Sequence, residues 1–249
     1  MRVVRVFHGE DVRYGLADES IITLISDEPF VAWEAEDAVA LQGARLMPPA
    51  MPTKIVCVGV NYRQHAEEMG HEIPEEPILF LKPPTSINAP MGEIRIPSAS
   101  KRVDFEGELA VVMGRRAHRV SPPEAFAHVL GYTCANDVTA RDLQRKDGQW
   151  TRAKGFDGFC PLGPWVETDV DPADLLLETY VNGMRKQHAR TSDMIFSVPM
   201  LVSFVSHVMT LLPGDVLLTG TPSGIGPLEP GDTVEVRIEG IGTLTNRVV

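Results

Sequence analysis

Short apolar runs separated by glycine and proline are the feature of this sequence that most restricts its fold. The 21 glycines and 20 prolines are dispersed along the 249 residues rather than clustered, so turns interrupt the chain frequently. Most runs are short and apolar or alternating, as in RVVRVF, ILFLK and GDTVEVRIEG. Helical spacing is confined to a few stretches, among them NYRQHAEEMG, PPEAFAHVLG and PMLVSFVSHVMTL. The pattern predicts a β-rich α+β protein.

A proline-rich connector divides the sequence. Residues 47–54 read MPPAMPTK, and three prolines in these eight residues make a stiff segment that is incompatible with a helix. We therefore predict a small N-terminal β domain over residues 1–50 and a larger domain over residues 51–249.

Composition and charge argue against several classes of partner. The net charge of −11 is the opposite of the basic face that nucleic-acid binding requires, and it disfavours anionic lipid. No run approaches the roughly 18 apolar residues of a membrane span, and the N-terminus lacks the apolar region of a secretory signal, so we expect a cytoplasmic protein. Cys57, Cys134 and Cys160 are few and scattered, which favours buried free thiols over disulfides or a thiolate zinc site.

The stretch RVDFEGELAVV, residues 102–112, raises the question of a metal site. In a β-strand, residues two apart share a face, so Asp104, Glu106 and Glu108 point the same way and the face then becomes apolar. A solvated strand edge has the same acidic alternation. Carboxylates at the boundary of a core repel one another and are costly to desolvate, so the alternative is a site for a hard cation with oxygen ligands.

The stretch CANDVTARDLQ contains a further acidic side chain. If a helix begins near Asn136 and Asp137, then Asp137, Arg141 and Gln144 lie on one of its faces. That face would combine a carboxylate, a guanidinium and an amide. The alternative is a helix-capping aspartate with an ordinary ion pair one turn further on.

Other stretches contain groups suited to proton transfer and anion binding. In NYRQHAEEMG, His65 and Glu68 are close enough on a helix for the carboxylate to orient the imidazole, although exposed pairs of this kind are also common without function. The polar loop HEIPEEP that follows is a candidate lid. Lys154 precedes a glycine in WTRAKGFDGFCP, and LLTGTPSGIGP places Thr221 at a strand end, where it either helps to hold a carboxylate or belongs to a structural turn.

Six stretches, taken in order, resemble the fumarylacetoacetate hydrolase superfamily over roughly residues 53–249. They are IVCVGVNYRQHAEEMG, PILFLKPPTSI, VDFEGELAVVMG, GYTCANDVTARDLQ, RAKGFDGFCPLGPWV and LLTGTPSGIGPLEPGDTVEVRIEGIGTLTNRV. The sequence is most similar to the small members that act on 2-oxo dicarboxylates and acylpyruvates. The resemblance implies a mixed β-roll or flattened barrel, a homodimer, and bound Mg²⁺ or Mn²⁺.

The resemblance also implies roles for individual residues. The implied metal ligands are Glu106, Glu108 and Asp137. Asp104 is not among them. The implied catalytic residues are His65, Glu68 and Lys154, and the implied substrate contacts are Arg141, Gln144 and Thr221.

From this resemblance we expect an enzyme that uses Mg²⁺ to stabilise an enolate of a small anionic 2-oxo acid. A small form with its own N-terminal segment resembles the isomerases and decarboxylases of homoprotocatechuate breakdown, which favours 2-hydroxyhepta-2,4-diene-1,7-dioate isomerase with decarboxylase activity. Acylpyruvate hydrolase and oxaloacetate decarboxylase are the alternatives within the family. A metal-stabilised binding module without turnover is the alternative of another class.

Overall fold

Strands predominate in the computed structural model, which describes residues 1–70 and 72–249. The N-terminal strands are β1 (Arg2–His8), β2 (Asp11–Ala17), β3 (Ile21–Ile25), β4 (Ala35–Ala40) and β5 (Leu46–Met47). The central strands are β6 (Ile55–Gly59), β7 (Ile78–Lys82), β8 (Ile87–Asn88), β9 (Glu93–Ile94), β10 (Val103–Phe105), β11 (Gly107–Met113), β12 (Val129–Asn136), β13 (Thr139–Ala140) and β14 (Cys160–Glu167). The C-terminal strands are β15 (Leu176–Val181), β16 (Met184–Arg190), β17 (Val216–Leu218), β18 (Gly226–Pro227), β19 (Thr233–Ile238) and β20 (Gly242–Val248).

Helices are short and few among the described residues. They are α1 (Arg63–Met69), α2 (Arg141–Asp147), α3 (Thr151–Lys154) and α4 (Val198–Val208), and 3₁₀ turns occur at Pro84–Ser86, Pro122–His128, Pro172–Asp174 and Thr191–Asp193. In this part of the chain no helix has the length and apolar character that crossing a membrane requires.

The strands of the described residues form three sheets. The largest follows the order β4-β3-β2-β1-β14-β12-β11-β17-β6-β7, with β5 beside β1 and β8 beside β14. A small sheet joins β13, β10 and β18, and a third joins β16, β15, β19, β20 and β9. The prediction of a β-rich α+β fold is confirmed, and within these residues the sheets stay open rather than closing into a barrel.

The N-terminal strands extend the largest sheet. β1 pairs antiparallel with β14, with Arg2 opposite Glu167 and Val3 opposite Val166. These strands also contribute an apolar cluster of their own, which includes Val4 and Ile22. The proline-rich connector then leads into β6, which lies parallel to β17. The domain boundary between residues 50 and 51 stays a prediction.

Strands β6 and β11 are buried on both faces, which explains why KIVCVGV and ELAVVMG are continuous apolar runs. Val56 and Leu109 belong to the apolar cluster that packs against α4, whereas Ile55 and Ala110 belong to the cluster on the opposite face. The prediction of buried free cysteines is also confirmed. The two packed faces hold β11 rigidly, and β11 carries one of the acidic residues of the candidate site.

Local sequence signals located some elements well and others poorly. Helix α1 ends at Gly70, whose φ of 69° is left-handed and whose N–H bonds to the carbonyl oxygens of Ala66 and Glu67. PPEAFAHVLG forms only a 3₁₀ turn, because its last residues enter β12 and pair with β11. The candidate lid HEIPEEP includes His71, which lies outside the described residues.

Candidate metal centre

The acidic stretch RVDFEGELAVV is divided between two sheets. β10 pairs with β13 and β18 in the small sheet, β11 joins the largest sheet, and Glu106 lies at the junction between them. The alternative of a solvated strand edge is excluded, since Asp104, Glu106 and Glu108 are only 0%, 4% and 2% exposed. Buried carboxylates require partners that offset their desolvation.

Glu106, Glu108 and Asp137 form a compact cluster. One carboxylate oxygen from each lies within 4.8 Å of the others. The backbone N–H of Asp137 donates to the carbonyl oxygen of Glu106 at 2.8 Å, and the N–H of Glu106 donates to Oδ1 of Asn136 at 2.9 Å. These bonds fix the separation of the two chain segments that carry the carboxylates.

Asp137 is not at the start of a helix, so the expectation of a helix beginning near Asn136 is wrong. The N–H groups of Asp137 and Val138 bond to carbonyl oxygens of Glu106 and Phe159, and Thr139 then pairs with β10. These backbone groups therefore belong to sheet contacts, and α2 begins only at Arg141. The expected proximity of Arg141 and Gln144 does hold, because Nη1 of the arginine donates to Oε1 of the amide at 2.6 Å.

Two predicted cations contact the cluster directly. Nζ of Lys154 donates to Oε2 of Glu106 at 2.8 Å and to Oδ2 of Asp137 at 2.6 Å. Arg141 donates through Nε to Oδ2 of Asp104 at 2.9 Å, and it also pairs with Glu106 through Nη2. Asp104 is therefore paired with arginine and lies outside the cluster of three.

Lys82 is a third cation at the cluster, and sequence reasoning missed it. Its ammonium group donates to Oδ1 of Asp137 at 2.6 Å and to the carbonyl oxygen of Val138 at 3.1 Å. The residue is 1% exposed, which is rare for lysine. The available signal was its place as the last residue of the apolar strand ILFLK, directly before two prolines.

The three carboxylates differ in their electrostatic surroundings. Burial by itself would raise the pKa of Glu106, but Lys154 and Arg141 hold that pKa well below its usual value. Burial raises the pKa of Glu108, and repulsion from Asp137 and Glu106 raises it further. Among the described residues the ion pairs of the cluster go to Glu106 and Asp137, while Glu108 accepts a hydrogen bond from the N–H of Gly220 at 2.7 Å.

A divalent cation fits this donor set. Glu108 is a buried carboxylate with two carboxylate neighbours and no ion-pair partner in the described part of the chain. Hard divalent cations such as Mg²⁺ and Mn²⁺ prefer carboxylate oxygens, and a bound cation would remove the repulsion that Glu108 experiences.

The cluster lies in a cavity of about 250 Å³. Every predicted site residue except Glu68 lines this cavity. Glu68 lies behind His65, with its Oε2 3.0 Å from Nδ1 of the imidazole, and its Oε1 accepts the N–H of Gly224 at 3.0 Å. The histidine is 7% exposed, so the exposed-pair alternative does not apply to it. Phe80 and Trp150 form an apolar wall of the same cavity.

The loop LLTGTPSGIGP binds the protein's own groups. Thr219 and Thr221 donate their hydroxyl protons to the carbonyl oxygens of Leu109 and Gly107, both at 2.9 Å. The oxygen of Thr221 also accepts from Nε2 of Gln187 at 2.8 Å. Both hydroxyls therefore have protein partners, and backbone N–H groups of this loop hold two carboxylates, Glu108 at Gly220 and Glu68 at Gly224.

Comparison with known proteins identifies two matching family models. Residues 54–249 match the model described as "Fumarylacetoacetate (FAA) hydrolase C-terminal", and residues 1–49 match "Rv2993c-like, N-terminal". Protein Rv2993c of Mycobacterium tuberculosis is 57% identical over 212 residues, which cover 84% of this chain and 80% of that protein. The mitochondrial oxaloacetate tautomerase Fahd2a of Rattus norvegicus is 42% identical over 215 residues, covering 82% of this chain and 69% of the relative.

Solved structures with named activities are also similar to this chain. The 2-hydroxyhepta-2,4-diene-1,7-dioate isomerase of Mycobacterium marinum is 50% identical, with a TM-score of 0.93 and coverage of 100% of this chain and 98% of that one. The fumarylpyruvate hydrolase of Pseudomonas aeruginosa, in complex with Mn²⁺ and pyruvate, is 34% identical, with a TM-score of 0.75 and coverage of 82% and 91%. By its sequence and its fold, this chain belongs to the fumarylacetoacetate hydrolase family.

Proposed function

We propose that the protein is an enzyme dependent on Mg²⁺ or Mn²⁺ that acts on small 2-oxo or 2-hydroxydiene dicarboxylates of aromatic catabolism through an enolate. The reaction that we favour is that of a 2-hydroxyhepta-2,4-diene-1,7-dioate isomerase with decarboxylase activity. The observation that carries the proposal is the cluster of Glu106, Glu108 and Asp137 in a cavity that also contains Lys154 and His65. The isomerase of M. marinum, 50% identical over the whole chain, supports the choice of reaction.

The charges around the cluster favour an anionic substrate. The four buried carboxylates are Asp104, Glu106, Glu108 and Asp137, and the cations that pair with all of them except Glu108 are Lys82, Arg102, Arg141 and Lys154. With all four carboxylates ionised, as metal binding requires, these charges balance, so a bound divalent ion leaves an excess of positive charge that a dianionic substrate offsets. When bound, the ion supplies Lewis-acid polarisation of the 2-oxo group.

His65 is the candidate for moving a proton. Its Nδ1 faces Glu68, so the carboxylate favours the tautomer in which Nδ1 carries the proton and Nε2 is the free base. Gly224 fixes Glu68 in turn, which limits rotation of the pair. Lys154 lies between the carboxylates and the face of Phe80, with Nζ 4.9 Å from the ring centroid. That position keeps its charge near the point where negative charge develops on the substrate.

Oxaloacetate is the second candidate substrate. The rat relative is named oxaloacetate tautomerase, which supports a keto–enol reaction on oxaloacetate. The decarboxylation of oxaloacetate that the sequence suggested would instead break the bond to the departing CO₂ and produce the enolate of pyruvate, which the same site could stabilise. The fumarylpyruvate hydrolase similarly supports hydrolysis of an acylpyruvate. These reactions share enolate stabilisation and differ in the bond whose cleavage produces the enolate, which is C–H in tautomerisation, the C–C bond to CO₂ in decarboxylation and the C–C bond to the acyl group in hydrolysis.

The proposal includes a cytoplasmic homodimer that binds neither nucleic acid nor membrane. The homodimer follows from the family resemblance, and the exclusions follow from the net charge of −11. Sedimentation equilibrium of the purified protein tests the dimer directly.

A single comparative assay tests the function. The protein is stripped with a chelator, reloaded with Mg²⁺ or Mn²⁺, and assayed against a hydroxydiene-dioate, oxaloacetate and an acylpyruvate under the same conditions. We expect turnover only with metal. The ratio kcat/KM defines specificity, and we expect it to be highest for the hydroxydiene-dioate. Glu108→Gln should abolish turnover. Glu67→Gln, which changes an exposed carboxylate of α1 next to Glu68 in sequence, should not.

The outcomes of this assay separate the hypotheses. A higher kcat/KM for oxaloacetate or the acylpyruvate would replace the favoured substrate but keep the metal-dependent enzyme. Turnover that persists without metal would refute the role of the cluster. Metal binding that raises the melting temperature without turnover of any of the three substrates would favour the binding module.

A further inference from the structure

We propose that Arg145 binds the distal carboxylate of the substrate and thereby makes the site selective for 2-oxo dicarboxylates over 2-oxo monocarboxylates. This inference rests on the proposed function and names a residue of that site to which neither the sequence motifs nor the relatives assign a role. Among the described residues, three cationic side chains line the cavity: Arg141, Arg145 and Lys154.

Two of these three cations are already paired with protein carboxylates. Arg141 pairs with Asp104 and Glu106, and Lys154 pairs with Glu106 and Asp137. Within residues 1–70 and 72–249, Arg145 forms neither an ion pair nor a side-chain hydrogen bond. In a chain with a net charge of −11, an arginine that lines a cavity and has no carboxylate partner in the described part of the chain is available to an anionic ligand.

The position of Arg145 on α2 places it away from the metal cluster. Arg141 is buried against the carboxylates, Gln144 is half-buried, and Arg145 is exposed. Because four residues of helix advance roughly 6 Å, Arg145 lies about one turn further along the helix than the arginine that contacts Glu106. A ligand whose 2-oxo acid group lies at the cluster would therefore extend towards Arg145 with its other end.

One wall of the cavity is apolar. Phe80 and Trp150 line it with their rings in edge contact, 5.1 Å apart between centroids and inclined by 71°. Gly59 allows the indole to lie against β6, since a Cβ at that position would be 2.9 Å from the ring. Such a wall suits the hydrocarbon segment between two carboxylates, and it provides no competing charge.

The test compares two ligands of the same carbon number, 2-oxoadipate and 2-oxohexanoate, by calorimetry on the Mn²⁺-loaded protein. The wild type should bind 2-oxoadipate more tightly. Arg145→Met should lower the affinity for 2-oxoadipate by roughly ten-fold, which is the scale of losing one charge-assisted contact. The affinity for 2-oxohexanoate should stay unchanged. Arg145→Lys should lower the affinity for 2-oxoadipate by a smaller factor, because the positive charge stays and only the bidentate geometry is lost.

Lys146→Met is the matched control. Lys146 is the next residue of α2, is also exposed and is not among the residues that line the cavity, so its loss should change neither affinity. Equal weakening by Arg145→Met and Lys146→Met would indicate a general field effect and overturn the assignment. An Arg145→Met variant that keeps the wild-type preference would also overturn it.

The proposed function and this inference fail in different ways. If neither 2-oxo acid binds to the Mn²⁺-loaded wild type, the proposed function fails and the inference fails with it. If both ligands bind but Arg145→Met does not change their ratio, the proposed function stands and only the role of Arg145 is refuted.

Discussion

The ammonium nitrogen of Lys82 lies 2.6 Å from Oδ1 of Asp137, where the side chains of both residues are almost fully buried. The other oxygen of the same carboxylate accepts from Lys154, also at 2.6 Å. Each oxygen of Asp137 therefore has its own lysine, which fixes the plane of the carboxylate before any metal ion binds. Two lysines on one buried aspartate also mean that the charges of this cluster depend on one another.

Replacement of Lys82 by methionine should destabilise the metal-free protein and increase its response to metal. The change removes one partner of a buried ion pair, for which a loss of about 3–5 kcal/mol in the free energy of unfolding is typical. Mn²⁺ should recover part of this loss, because the cation compensates for the missing charge. Urea unfolding with and without Mn²⁺ measures both effects. Lys186→Met, at an exposed strand lysine, is the control, and an equal Mn²⁺ effect in all three proteins would contradict the prediction.

Replacement of Glu108 by glutamine should separate metal affinity from stability. We expect the affinity for Mn²⁺ to fall by more than about 100-fold, beyond the loss usual for residues that only support ligands. The metal-free protein should be at least as stable as the wild type, since a neutral amide experiences neither the repulsion from Asp137 and Glu106 nor the need for a proton that relieves it. Calorimetric titration and thermal unfolding give the two quantities. A less stable metal-free variant would show that this carboxylate is not under electrostatic strain.

Below the raised pKa of Glu108, metal binding should release a proton. The pKa of Glu108 is raised by burial and by its carboxylate neighbours, so the folded protein keeps this proton to a higher pH than an unfolded chain does. Coordination needs the ionised form, so Mn²⁺ affinity should rise with pH up to the raised pKa and then level off. Titrations in two buffers with different ionisation enthalpies count the protons. A dissociation constant independent of pH would be inconsistent with this protonation state.

Replacement of His65 by glutamine should reduce turnover and leave metal affinity nearly unchanged. General acid–base groups typically contribute roughly 100- to 10,000-fold to the rate, and this imidazole forms no ion pair with the three clustered carboxylates. Glu68→Gln should have a smaller effect, because it only orients the ring. Steady-state kcat and Mn²⁺ titration separate the two properties, with Glu67→Gln as the control. Wild-type kcat in His65→Gln would remove the pair from the mechanism.

The cysteines should resist alkylation in the folded protein. Burial raises the pKa of Cys134 and that of Cys160 to about 12, and it raises the pKa of Cys57 well above its usual value. At mildly alkaline pH these thiols stay protonated and out of reach, whereas unfolding in urea returns their pKa values to the ordinary range. Mass spectrometry after iodoacetamide treatment should find modification only in urea. Labelling of the native protein would indicate local opening.

The sequence alone was sufficient to predict structural features that depend on residues close together along the chain. The strand ILFLK, the glycine that ends α1 and the His65–Glu68 pair all follow from spacing within a few residues, and the structure contains each of them. The candidate metal residues came from strand alternation together with the family motifs, and the three carboxylates do come together.

Long-range contacts account for what the sequence left out. The helix expected at Asp137 does not form, because backbone groups there bond to Glu106 and Phe159, which are distant in sequence. Lys82 becomes important only when β7 is brought beside Asp137, a partner 55 residues away. The role of the loop at Gly220 depends in the same way on Glu108, 112 residues distant. Local patterns contain no information about such pairs.

The bonds that assemble the cluster also make its formation directly observable. The N–H of Asp137 donates to Glu106, the N–H of Glu106 donates to Asn136, and the N–H of Gly220 donates to Glu108. These amide protons exchange with solvent only when the corresponding contacts open. Hydrogen–deuterium exchange at these amides therefore measures how often the three carboxylates separate, in the absence of any metal or substrate.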